Sequence, residues 1–143
     1  MTNLDNLKRL TKELAEEVEY QEHGIAFKFI KLILDSIKSP AFIITREYDT
    51  VYLNPTAIKM AKKYGISTEL GVKCYNVLFH KDEPCKECPV TRALKTRRVE
   101  NTEWKSPLTG KKYMVTDIPL LFNGVAGVIE ILNPINRVKN NVN

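Results

Sequence analysis

Cys74, Cys85 and Cys88 are the only cysteines of the chain, and they fall within fifteen residues as C-x10-C-x2-C. His80 lies inside the larger gap, and Pro89 follows the last cysteine. An apolar core can use a thiol anywhere, so bunching points to sulfurs that act together, on a metal ion or on one another. Cys85 and Cys88 have the spacing of a chelating pair, and Cys74 with His80 would complete four ligands for zinc. A second C-x2-C is missing, which sets the pattern apart from a zinc ribbon. An iron–sulfur cluster, usually held by four cysteines, would need His80 as an unusual fourth ligand. The redox alternative uses Pro89 as the first residue of a helix. Cys88 then stands at the N-cap, where the helix dipole, Lys86 and Arg92 favour a thiolate that attacks Cys85 or Cys74. A third alternative is structural, the cysteines packing and closing a long loop. All three remain open at this point.

The remaining composition narrows the class. A chain of 143 residues, 43% apolar and 27% charged, fits one domain with a helical extension and buries a core without a metal or disulfide. Net charge is +5, but the bases are interleaved with acids, and Lys95-Thr-Arg97-Arg98 is the one dense run. That pattern describes a solvated helix end better than a nucleic-acid surface, and no helix-turn-helix pattern is present for a transcriptional regulator. The longest apolar stretch, Ala26 to Leu34, is broken by Lys28 and Lys31, so no membrane span is expected. An odd cysteine count and a charged N-terminus without a signal core lead to an expectation of a reducing cytoplasm.

The elements that must position the cysteines follow from periodicity. Leu4, Leu7, Thr11, Leu14, Val18, Gln21 and Ile25 step by three and four, predicting an amphipathic helix to about Gly24 that lies on its own domain or dimerises. Gly24 is expected to bend it before a second helical run, Ile25 to Ile37. His23 reads as a surface residue of that first helix. Ala41–Thr45 and Thr50–Leu53 are rich in β-branched and aromatic residues and read as a hairpin. Asn54-Pro55 is a helix start, with Asn54 as N-cap, and Gly65 ends that helix. Ile66 to Glu87 reads as a loop holding most of the cysteine cluster, and Pro89 to Thr96 as a short helix. Strands are expected over Arg98–Lys105, Lys112–Phe122 and Val125–Leu132, the last two joined at Asn123-Gly124. Five antiparallel strands with helices packed on one face make an α+β domain over residues 38–135, after a helical extension over 1–37 and before a flexible tail, 136–143.

That order resembles a PAS domain, the sensory module of many bacterial and archaeal signalling proteins. The resemblance spans roughly residues 30 to 133. Leu34-Asp-Ser-Ile-Lys-Ser-Pro-Ala-Phe-Ile-Ile44 resembles the family's helix running through a proline into strand one. Val51-Tyr-Leu-Asn54-Pro-Thr-Ala57 resembles its second strand and the N-x-A that follows. Tyr113 to Pro119 and Gly124 to Ile131 resemble its last hairpin. The cysteine segment is similar to a G-x-x-C-Y…H-x-x-x-x-P-C-x-x-C-P pattern in PAS sensors of anaerobic signalling proteins, with one residue fewer after His80. There are departures. Pro134-Ile135-Asn136 stands where many PAS domains have Asp-Ile-Thr, and Thr45-Arg46 stands where an acidic residue often follows strand one.

The resemblance implies a sensory and interaction module of signal transduction, without catalysis of its own, as in two-component regulation. A ligand pocket in such a module lies between sheet and helices, with Phe42, Ile44, Tyr52, Ile58, Trp104, Tyr113, Val115 and Ile129 as candidate lining residues, the alternative being that these side chains are packed core. Output is expected through a homodimer built on the N-terminal helix or through a separate effector such as a sensor kinase. Flavin and haem are not expected. Gly71-Val-Lys-Cys74-Tyr-Asn-Val-Leu78 matches the flavin motif at Gly and Cys alone, and no histidine lies on Pro89–Thr96, where haem sensors usually carry one. The alternative is a metal- or thiol-dependent redox sensor using Cys74, Cys85 and Cys88, with His80 as a further metal ligand.

Overall fold

A computed structural model describes residues 3–79, 81–122 and 125–136. The expected Asn123-Gly124 turn, His80 and the tail beyond Asn136 lie outside the described residues. The chain divides into two compact units between Ser36 and Ile37. The first is a single helix, α1 (Asn3–Ser36), of 34 residues and about 50 Å. It runs through Gly24 without a break, correcting the expected pair of helices. A mid-helix glycine costs only about 1 kcal/mol, which the flanking helix formers absorb.

The second unit is one antiparallel sheet with three short helices. Its order is β1 (Ala41–Thr45), β2 (Asp49–Leu53), α2 (Pro55–Tyr64), β3 (Val72–Lys73), α3 (Cys74–Phe79), α4 (Pro89–Thr96), β4 (Glu100–Lys105), β5 (Lys112–Phe122) and β6 (Val125–Pro134). The strands lie in the sequence β3-β2-β1-β6-β5-β4. The sheet therefore has six strands rather than five. The extra strand pairs Val72 and Lys73 with Thr50 and Asp49. Lys73 Nζ reaches the Asp49 carboxylate at 2.9 Å and donates to the Glu47 carbonyl at 2.7 Å, hooking β3 to the β1–β2 turn. The expected loop of residues 66–87 also holds α3, a six-residue helix too short for periodicity to reveal.

Side chains on one sheet face meet the helices. Phe42 and Ile44 (β1), Leu53 (β2), Tyr113 and Val115 (β5), and Val128 and Leu132 (β6) pack with Ala57 and Ala61 of α2, Val77 and Leu78 of α3, and Val90 and Ala93 of α4. Asn54 ties this layer together. It is fully buried, and its Oδ1 accepts from the N–H of Ala57 (2.9 Å) and of Ala41 (3.0 Å). Its Nδ2 donates to the Ser39 carbonyl at 2.9 Å. One amide thus caps α2 and pins the start of β1. Gly65 ends α2 in the left-handed conformation, at φ 67°, its N–H donating to the Ala61 carbonyl.

Asn54→Ala should cost about 2–4 kcal/mol, more than a surface cap, because two buried N–H groups lose their acceptor. Urea denaturation of the variant beside wild type checks this.

Candidate functional site

Each cysteine is held by a different local device. Cys74 opens α3 directly after β3, and its N–H donates to the Tyr48 carbonyl at 2.8 Å. Tyr48 sits in the β1–β2 turn at φ 69°, a left-handed position uncommon for a large residue. There its ring meets Tyr75 edge-on with centroids 5.9 Å apart, and its hydroxyl pairs with Thr91 Oγ1 at 2.7 Å. The turn thus clasps both α3 and α4. Cys88 is the N-cap of α4 with Pro89 next, as expected, but its thiol makes no capping hydrogen bond. Cys85 lies in the connection before it, half-buried, while Cys74 and Cys88 are buried. All three are free thiols.

The three sulfur-bearing residues line one cavity of about 820 Å³. Tyr75 and Leu78 of α3, Val90 and Arg92 of α4, Thr102 and Trp104 of β4, and Val115 of β5 complete much of its wall. Lysines and glutamates of 81–87 and 103–105 surround them. Glu130 of β6 also lines it, and no motif in the sequence points to that residue.

Glu130 belongs to a row set by strand register. Leu53 faces Phe42, Phe42 faces Glu130, Glu130 faces Asp117, and Asp117 faces Glu100. Three carboxyl groups therefore stand side by side on the helix-covered face of the sheet. Glu100 is answered by Arg92, whose Nε lies 3.4 Å from Oε2, and by a hydrogen bond from Thr96 Oγ1 at 2.9 Å. The other Arg92 arm donates to Thr102 Oγ1. Asp117 and Glu130 have no such answer. They are 0% and 6% exposed, and neither oxygen of Asp117 meets a donor among the described residues. A proton held between the two carboxyls joins them.

Electrostatics follow from this burial. Desolvation pushes Glu130 well above the ordinary carboxylate range, and Asp117, Cys88 and Cys85 push the same way. Burial also raises Asp117, while Glu130 and Arg92 pull it down and Glu100 pushes it up. The Cys74 thiol is driven far up by burial, then by Glu130, Cys88 and Cys85. Cys85 rises through burial and Cys88, with Lys81 opposing. Cys74 and Cys85 thus rest as neutral thiols beside a carboxyl pair that holds its proton more firmly than free carboxyls do. Among the described residues, no three His, Cys, Asp or Glu side chains stand so as to close on one metal ion.

Of the eight residues expected to line a ligand pocket, Trp104 and Val115 border this cavity. Phe42, Ile44 and Tyr113 are in the packed core, and Ile58 lies at its margin. Tyr52 and Ile129 both pair with Ile43, so they share the opposite face of the sheet.

No protein-family model and no curated protein matches this chain. Solved structures do. The Rhodobacter sphaeroides LOV protein is 16% identical with a TM-score of 0.59, covering 80% of this chain and 69% of its own. A chain in the E. coli DhaR(N)–DhaL complex is 13% identical with a TM-score of 0.56, over 90% of this chain and 42% of its own. The PAS domain of nitrogen regulation protein NR(II) from Vibrio parahaemolyticus is 14% identical with a TM-score of 0.54, over 73% and 96%. The fold is that of PAS domains.

Folding to this state takes up protons at Asp117 and Glu130, so their contribution is complete below the ordinary carboxylate range and lost as pH rises through their elevated values. Glu130→Gln should match wild type near pH 4 and exceed it by about 1–2 kcal/mol at pH 8. Thermal melts across that range check the divergence.

Proposed function

We propose that this chain is a sensory module that admits a small ligand to the cysteine-walled cavity. The observation that carries this reading is the cavity itself: about 820 Å³, with all three cysteines, Trp104 and Glu130 on its walls. Its size falls in the range of small-molecule sites, and a few polar groups in a largely apolar lining are what fix a ligand's orientation. The walls also supply a route outward. α4 touches β4, β5 and β6, and α3 and α4 are both clasped by Tyr48, so a ligand that shifts these helices strains the β1–β2 turn.

Trp104 is the chain's single tryptophan and borders the cavity, so it reports occupancy. Occupancy by a small molecule should shift its emission and slow labelling of Cys85, the half-exposed thiol, by tenfold or more. Emission and labelling that both ignore every compound stabilising the protein would end the reading.

A second reading is favoured by three free thiols that border one cavity. Oxidation of two of them to a disulfide passes two electrons and two protons to an oxidant such as peroxide. The neutral state of Cys74 and Cys85 makes this slow without help, since the thiolate is the attacking form. Thiol counts before and after mild peroxide should fall from three to one; three thiols throughout would sink it. Elemental analysis of anaerobically purified protein tests zinc or iron at the same cluster.

Partner contacts are proposed to run through α1. Leu4, Leu7 and Ile25 of its apolar series are each more than half exposed, and a homodimer would cover them. Deleting residues 1–24 should convert a dimer to a monomer by light scattering, and a dimer that survives removes the helix from this role. A separate effector, such as a sensor kinase, is the alternative receiver. No helix among the described residues is long and apolar enough to cross a membrane.

A further inference from the structure

Burying two adjacent carboxyls destabilises a fold unless they are compensated, and Arg92 attracts Asp117 without hydrogen-bonding it. The same row holds Phe42 and Leu53, so the face accepts apolar side chains at neighbouring positions. Of the three carboxyls in the row, Glu100 is paired with Arg92, whereas Asp117 has no hydrogen-bond donor among the described residues. Glu130 opens onto the cavity, and Asp117 stands behind it without a partner. A buried acid that lines a cavity, with a second acid beside it that has no donor, is set to receive a cation from outside.

We propose that the cavity takes an organic cation, a protonated amine or amidine on an apolar body, whose N–H groups are received by Glu130 with Asp117 behind it. This deepens the reading of the cavity as a ligand site and rests on it. Three features choose this class. A cavity of about 820 Å³ is sized for an organic molecule rather than a bare ion. No three ligating side chains among the described residues close on a metal. Trp104 and Tyr75 border the cavity, and an aromatic wall suits both the apolar body and the charge of such a ligand.

Ligation has a proton signature. The ligand arrives as an ammonium, and the Asp117–Glu130 pair gives up a proton to solvent as it becomes the counter-ion. The groups facing the pair are Cys74 of α3, Cys85 and Cys88 beside α4, Arg92 of α4, and Glu100 of β4 through Asp117. Cys74 and Cys85 remain neutral there, so the pair is the group that ionises. Affinity therefore rises with pH as the pair ionises.

The experiment uses phenethylamine, its uncharged counterpart 2-phenylethanol, and the anion 3-phenylpropionate, titrated into the full chain by calorimetry and by Trp104 emission. The amine should bind at least tenfold tighter than the alcohol, with protons released on binding in a fraction that grows as pH is lowered, measured in buffers of different ionisation enthalpy. The anion should be weakest. Glu130→Gln should abolish both the preference and the proton release while still binding the alcohol. An alcohol that binds as well as the amine, or a preference that survives Glu130→Gln, overturns the inference and leaves the cavity as a ligand site. Failure of all three probes to move Trp104 overturns both. A response to stoichiometric zinc alone replaces the organic cation with a metal.

Discussion

Ten consecutive antiparallel pairs join β5 to β6, from Tyr113 against Pro134 to Phe122 against Val125, and β6 is paired on its other side with β1. Strand side chains alternate between faces, so this register assigns every residue of three strands to the helix side or the opposite side at once. It is what sets Glu130 beside Asp117, and it also makes them inescapable. A slip by one residue would turn Val128 and Leu132 away from the core. Gly127 shows how close the pairing is: a Cβ there would stand 2.9 Å from the Ile44 carbonyl oxygen.

On this sheet the helices act as a cover. α2 is sealed to the sheet through Asn54, while α3 and α4 are tied to the β1–β2 turn through Tyr48 and are separated by the connection that carries Cys85. The cysteines and Glu130 border the same cavity. Burial holds Cys74 and Cys85 as thiols, which weakens them as nucleophiles and leaves them as soft, neutral lining.

Much of this could be read from residue order. Asn54-Pro55 announces its helix because capping is local, and the α+β order is legible because β-branched runs and turn dipeptides are short-range signals. The clustering of Cys74, Cys85 and Cys88 in sequence is matched in space, since all three border one cavity. The phase of β6 is harder. Apolar residues occupy both of its faces, Val128 and Leu132 on one and Ile129 and Ile131 on the other, so no alternation distinguishes them. Ile129 therefore reads as readily as a pocket residue as Glu130 does. Continuing the inward series Tyr113, Val115 by one step reaches Asp117, the one sequence signal that an acid faces the core. Short α3 and two-residue β3 carry no periodicity at all.

The two margins of the sheet are both poor templates for another strand. β3 ends one side after two residues, and β4 ends the other with Glu100, Glu103 and Lys105 among its six. Short or charged edges discourage strand addition. A second protein is thus steered away from extending the sheet and toward meeting this molecule on a flat or helical surface, where contacts can be made and released without breaking a ladder of backbone hydrogen bonds.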